Sequence, residues 1–286
     1  MDTLANINGQ QMPLAEVRIS VLDRGFLFGD AVYEVLRVYH GHPWLEEEHF
    51  ARLERSLRAI QIHGINVGRL RSRMHETIAA GPFSEAIVYI QITRGAAPRA
   101  HAFPKDAIPL ELLYVQAFVD PYTEARSIGA SVITAPDIRW ERCDIKSTNL
   151  LANVLAMQRA KEGRCLEAIY HLPDGTLTEG THTSLFGVLD GSVLTAPKTN
   201  AILPGITRGL VLRLAEMTGI AVREHRLTLA QLNQVSELFL TGTTTEVLPV
   251  VQIDSQLIGS GHPGPVARKL QESYARSVRD FLAVVP

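Results

Sequence analysis

The chain has 286 residues, more than the roughly 100–200 that a single hydrophobic core usually organises, so two domains are the first expectation. Hydrophobic residues make up 46% and charged residues 20%, a globular balance that excludes a disordered or fibrous chain. A formal net charge of -2 leaves no basic footprint for nucleic acid, and two cysteines, Cys143 and Cys165, exclude a disulfide framework or a multi-cysteine metal site.

No apolar run approaches the ~20 residues that a bilayer span requires. Met1 to Asn8 lacks the basic and apolar regions of a secretory signal, so a cytoplasmic protein without membrane or nucleic-acid partners is expected. In chain order, residues 31–39 alternate apolar and polar in part, and His40-Gly41 can turn them into a second strand. Phe50, Leu53, Leu57 and Ile60 recur at helical spacing and predict a helix over 46–60. A second helix is expected near 67–80, then strands near 86–93 and 110–118, an order that reads as α+β. Pro121 ends the last of these strands. The expected organisation is therefore a small N-terminal α+β domain over 1–118, a linker over 119–124 and a large C-terminal domain over 125–286.

The second part opens with a strand over 130–135 and a long helix over 148–162. Strands follow over 167–172, 176–189 and 192–196, with Asp174-Gly175 and Asp190-Gly191 as hairpin signals between them. Helices are expected over 207–218, 228–234 and 265–282.

Several residues carry potential chemistry. Lys146 stands immediately before Ser147, a plausible N-cap for the helix over 148–162. The positive end of a helix disfavours an ammonium and favours the neutral amine that a Schiff base requires, although a lone lysine is more often a solvated surface residue and position alone does not decide. Leu203-Pro204-Gly205-Ile206-Thr207-Arg208 puts a glycine before a helix start, and Thr241-Gly242-Thr243-Thr244-Thr245 opens a buried strand into a hydroxyl-rich loop. Each can cup an anion, although taken singly each is more often an ordinary cap or turn. Glu179 lies in a half-buried stretch where a carboxylate needs a partner, unless it faces water at a strand edge. Arg99 and His101 sit two apart in a proline-bracketed loop and can hold a carboxylate or simply be solvated.

Together these segments resemble the fold-type IV pyridoxal-phosphate enzymes, which include D-amino-acid aminotransferases, branched-chain aminotransferases and aminodeoxychorismate lyases. The resemblance runs through Asp23-Arg24-Gly25-Phe26-Leu27-Phe28-Gly29-Asp30, His49-Phe50-Ala51-Arg52-Leu53, Lys146-Ser147-Thr148-Asn149, Glu179-Gly180, Gly205-Ile206-Thr207-Arg208 and Thr241-Gly242-Thr243-Thr244. It implies a two-domain α+β architecture like that of the D-amino-acid aminotransferases, with 125–286 as the cofactor-binding domain. It further implies that Lys146 bonds pyridoxal 5'-phosphate and carries the proton, and that Glu179 meets the pyridine nitrogen. Arg52, Ile206, Thr207, Gly242 and Thr243 would hold the phosphate end, and Leu203 would support the ring.

Arg99, His101 and Tyr33 look like the substrate carboxylate trap of the D-specific members, whose loop comes from the neighbouring subunit of a homodimer; Thr244 falls on a further substrate position. The implied reaction is a ping-pong exchange between D-amino acids and 2-oxo acids. A branched-chain L-aminotransferase or an aminodeoxychorismate lyase of the same fold are the alternatives. Two departures bear on substrate preference: Thr181-His182-Thr183-Ser184 replaces a serine-rich run, and Gly242 stands where a serine is common.

Overall fold

The computed structural model describes residues 3–285. The described residues divide into two compact units: 3–119 with Ile145–Asn149 and Val285, and Asp120–Asp144 with Leu150–Val284. Both combine sheets with helices, and the fold is α+β.

Among the described residues the first unit holds a six-stranded sheet in the order Gln10–Pro13, Leu4–Ile7, Leu110–Ala117, Ala86–Thr93, Ala31–Tyr39, His42–Pro43. Strand alternation sends Val32, Leu36, Val88, Ile90, Ile92, Leu113 and Val115 to one buried face. There they meet Phe50, Leu53 and Leu57 from the helix Glu46–Ala59 and Leu70, Met74 and Ile78 from the helix Val67–Ala80. Glu46, Glu47 and Glu48 complement the positive end of the first helix, and the Asn66 side chain accepts from Arg69 N at 2.9 Å to cap the second. The other face carries stacked Tyr33, Tyr89 and Tyr114, with ring centroids 5.7 and 5.0 Å apart. His40 and Gly41, at φ 49 and 85, make the expected turn into the short second strand.

Among the described residues the second unit is built on a nine-stranded sheet. The strand Glu237–Gly242 lies between Ser184–Leu189 and Glu246–Ile253, and Phe186 stacks on Phe239 at 5.0 Å from directly opposite positions. Ala130–Pro136 and Glu167–His171 continue the sheet in parallel, and Leu177–Gly180 pairs at its edge. Asp190 and Gly191 both have positive φ and close the tight hairpin between Ser184–Leu189 and Ser192–Thr195. The helix Pro265–Leu282 starts on the side chain of Glu237, which accepts from Val266 N at 2.9 Å and Ala267 N at 2.8 Å.

Three sequence expectations are corrected. The helix placed over 148–162 runs Leu151–Glu162, with Leu150 and not Ser147 before its first residue. Ser147 bridges to Val32, Thr148 N donates to Ala31 O at 3.2 Å, and the Asn149 amide donates to Gly29 O at 3.0 Å. Residues 147–149 thus engage Gly29, Ala31 and Val32, and the helix begins only at Leu151. The strand expected over 176–189 breaks into Leu177–Gly180 and Ser184–Leu189, because Gly180 N turns back to Thr183 O at 2.8 Å. The helix expected over 228–234 is only a 3-10 turn, Leu229–Gln231, closed by reciprocal bonds between Thr228 and Gln231. No helix among the described residues is long and apolar enough to cross a membrane.

Candidate active site

In the first unit Lys146 is fixed by its backbone. Tyr33 N donates to Lys146 O at 3.0 Å, and Lys146 N donates to Ser56 Oγ at 3.3 Å. Its Nζ stands 4.2 Å from the centroid of the Tyr33 ring, so the face of an aromatic ring receives the amine. Sequence reasoning named both residues, and the fold brings them together.

Strand alternation turns Glu34 to the face opposite Tyr33, where it is 1% exposed. Arg52 Nε and Nη2 each donate to a different Glu34 oxygen at 2.7 Å, and His49 Nδ1 lies 2.8 Å from the same carboxylate. Burial opposes the Glu34 charge, but Arg52 and His49 outweigh it and hold the carboxyl down to about 2. Burial also lowers the His49 pKa, against the pull of Glu34. The resemblance implies Arg52 as a phosphate ligand but not its fixation by Glu34 and His49, for which a Glu inside an apolar strand and a His one helical turn before an Arg are the available signals.

Arg99 and His101 lie in the segment between the strands Ala86–Thr93 and Leu110–Ala117. Both pack on Phe28: the Arg99 guanidinium is 5.3 Å from its ring centroid, and His101 meets it edge-on at 5.7 Å. The two side chains are exposed.

In the second unit Glu179 is buried on the strand Leu177–Gly180. Arg139 Nη1 donates to its Oε1 at 2.5 Å, and Leu203 N lies 3.0 Å from both carboxylate oxygens. Arg139 also holds Asp137 at 2.8 Å and rests 4.4 Å above the Tyr170 ring. Burial raises the Glu179 pKa, and Arg139 and the Leu203 N–H offset this only in part, leaving it at about 7. The site therefore has electrostatic room for a further cationic donor.

Leu203 leads through Pro204-Gly205 into the helix Ile206–Met217. Gly205 is its N-cap and offers no side chain to bond the first N–H groups, while Thr207 is buried in the first turn. Beside Gly242 the hydroxyls of Thr241 and Thr245 are buried without a hydrogen-bond partner among the described residues. A Cβ on Gly242 would come 2.4 Å from Thr245 Oγ1, so glycine keeps that turn tight. Thr243 and Thr244 form the turn itself. An uncapped helix start and unsatisfied hydroxyls both suit an anion.

The departure at Thr181-His182-Thr183 has a partner that sequence reasoning missed. Glu167, 1% exposed, accepts from Thr181 Oγ1 at 2.6 Å and Thr183 Oγ1 at 3.0 Å, with His182 Nδ1 at 3.0 Å. Burial works against the Glu167 charge, but His182 and the hydroxyls hold its carboxyl below the ordinary range. A glutamate opening the apolar run Ala168-Ile169-Tyr170 was the signal.

A model of the amino-transferase class IV family matches residues 31–253. The D-alanine aminotransferase of Bacillus licheniformis is 40% identical over 272 residues, covering 95% of each chain. That of Staphylococcus haemolyticus is 38% identical over 274 residues, covering 95% of this chain and 96% of its own. Among solved structures, the branched-chain amino acid aminotransferase of Escherichia coli matches with a TM-score of 0.89 at 25% identity, over 96% of this chain and 94% of that one. The branched-chain aminotransferase of Thermoproteus uzoniensis with norvaline gives 0.86 at 24% identity, over 97% and 95% of the two chains, and speaks for the fold alone.

Proposed function

Because this chain belongs to the class IV amino-transferase family, we propose that it exchanges amino groups between D-amino acids, D-alanine among them, and 2-oxo acids, using pyridoxal 5'-phosphate on Lys146. The observation that carries the D-specific reading is the joint packing of Arg99 and His101 on Phe28, which turns two carboxylate donors to one ring.

The residues present fit the cofactor. A ring N–H at Glu179 would supply the positive partner that burial leaves wanting. The helix start at Ile206 and Thr207, the turn at Gly242 and Thr243, and Arg52 are the groups assigned to the phosphate, with Leu203 beneath the ring. When bound, the cofactor supplies the electron sink for charge left on the substrate's α-carbon.

This chain's own residues do the rest. The Tyr33 ring holds Lys146 Nζ in one direction, and the free amine takes the α-proton and later returns it. Glu34, itself met by His49, takes Arg52 through two bonds and so fixes the direction of its guanidinium. Arg99, His101, Tyr33 and Thr244 are assigned to the substrate carboxylate, which decides the face of the α-carbon that Lys146 meets. We assign the Arg99–His101 loop to a neighbouring subunit of a homodimer. Phe26 and Val21, 67% and 71% exposed, suit an apolar subunit contact.

The resemblance to branched-chain aminotransferase structures favours one second reading, an L-specific enzyme for branched side chains. Supplying D- and L-alanine and D- and L-leucine separately to the cofactor-loaded protein with 2-oxoglutarate, and measuring the oxo acid formed, separates the two. Faster turnover of D-alanine supports the proposal; preference for L-leucine replaces it.

A further inference from the structure

Arg24 is 3% exposed, yet its guanidinium reaches far along the chain. Its Nη1 donates to Ala100 O at 2.6 Å and Ala102 O at 3.4 Å, and its Nη2 to His101 O at 3.3 Å. One planar cation thus fixes three consecutive carbonyls of the loop that carries Arg99 and His101. The remaining donor, Nε, goes to Asp30 Oδ2 at 2.8 Å. Asp30 takes Arg94 through both oxygens, at 2.8 and 2.9 Å. Arg94 in turn donates to Ile60 O at 2.6 Å and Gln61 O at 2.9 Å, at the end of the helix that bears His49 and Arg52.

The aromatic contacts repeat this connection, because Phe28 meets Arg24 at 4.9 Å as well as Arg99 and His101. The neck of the loop is closed too. Arg24 N donates to Gly95 O at 3.0 Å, and a Cβ on Gly95 would stand 1.9 Å from Ile108 O. Between neck and tip, residues 97–109 form no helix or strand, so the loop's direction depends on these few bonds.

We propose that Arg24, held by Asp30, is a positioning residue for substrate selection: it sets the backbone from which Arg99 and His101 reach the substrate carboxylate. This rests on the assignment of Arg99 and His101 to that carboxylate. A lysine keeps the charge but lacks the fork, and cannot hold Asp30 and the carbonyls together. A guanidinium serving only the fold would change stability alone. One that aims the loop changes KM and enantiomer choice, and acts only while Arg99 is present.

The test is a double-mutant cycle on the cofactor-loaded enzyme: wild type, Arg24→Lys, Arg99→Ala and the pair. Steady-state constants for D- and L-alanine are measured alongside Tm. Arg24→Lys is expected to lower kcat/KM for D-alanine about tenfold, mainly through KM, and to narrow the D-to-L ratio, while the pair stays within about twofold of Arg99→Ala. Full activity of Arg24→Lys beside a crippled Arg99→Ala, or losses that multiply in the pair, overturns the role of Arg24 and leaves the carboxylate assignment standing. An Arg99→Ala enzyme with wild-type constants overturns both. Should Arg24→Lys fail to fold, Asp30→Asn takes its place in the cycle, since it removes the charge that holds Arg24 Nε while leaving Phe28 and the loop sequence unchanged. The same non-additivity with Arg99 is then expected, and additive losses contradict it.

Discussion

Arg139 divides one guanidinium between two carboxylates: Nη1 reaches Glu179 at 2.5 Å, while Nε and Nη2 hold Asp137 at 2.9 and 2.8 Å. Because the cation is shared, Glu179 is incompletely compensated, and burial leaves its carboxyl at about 7 against an ordinary 4.5. The folded protein therefore binds this proton more tightly than the unfolded chain. The stability that it contributes is full below about pH 4.5 and is lost as pH rises towards 7. Across that window the Tm of cofactor-free protein should fall more steeply for the wild type than for Glu179→Gln, and loading with cofactor should flatten the wild-type curve. Parallel curves for the two cofactor-free proteins would show that Glu179 is already satisfied.

Glu34 has the opposite sign. Its carboxyl is held down to about 2, so its ionisation stabilises the fold above pH 4.5 and the benefit is lost as pH falls through 2. Glu34→Gln leaves Arg52 buried without its bidentate partner, at a cost of roughly 3–5 kcal/mol. Thermal unfolding at neutral pH should show a large fall in Tm, and the acid limb of the profile should be shallower than in the wild type. An unchanged neutral Tm would mean that Arg52 finds another anion.

Arg99→Ala should leave folding and cofactor loading nearly intact, because the side chain is exposed and rests on the Phe28 ring. A hydrogen bond to a charged group contributes about 1.5–3 kcal/mol, so kcat/KM for D-alanine should drop roughly ten- to 150-fold. The loss should be smaller for L-alanine. Equal losses for both enantiomers would assign Arg99 a role unrelated to stereochemistry.

Periodicity revealed the regular elements that bury one continuous face. The helix Val67–Ala80 and the strand Ala86–Thr93 run over the same residues that their patterns indicate, because local spacing and the core agree there. It misplaced elements whose ends are set by distant partners. The helix expected from Thr148 begins at Leu151 because Ala31 and Gly29 claim the intervening backbone and side-chain donors, and no local pattern reports a bond across more than a hundred residues. The same limit applies to the candidate site. Lys146, Glu179 and Arg52 were legible as motif residues, whereas Arg139, Glu167 and Arg24 act through partners that only the fold brings near.

On the proposed function, Lys146 moves the α-proton of a D-amino acid. The most direct measurement is α-hydrogen exchange in deuterated water, followed by NMR with cofactor-loaded protein and either D- or L-alanine, with Lys146→Ala as the comparison. The wild type should erase the α-hydrogen signal of D-alanine while that of L-alanine persists. Lys146→Ala, folded with a Tm near that of the wild type, should leave both signals in place. Faster loss from L-alanine, or exchange that survives in Lys146→Ala, would contradict the account.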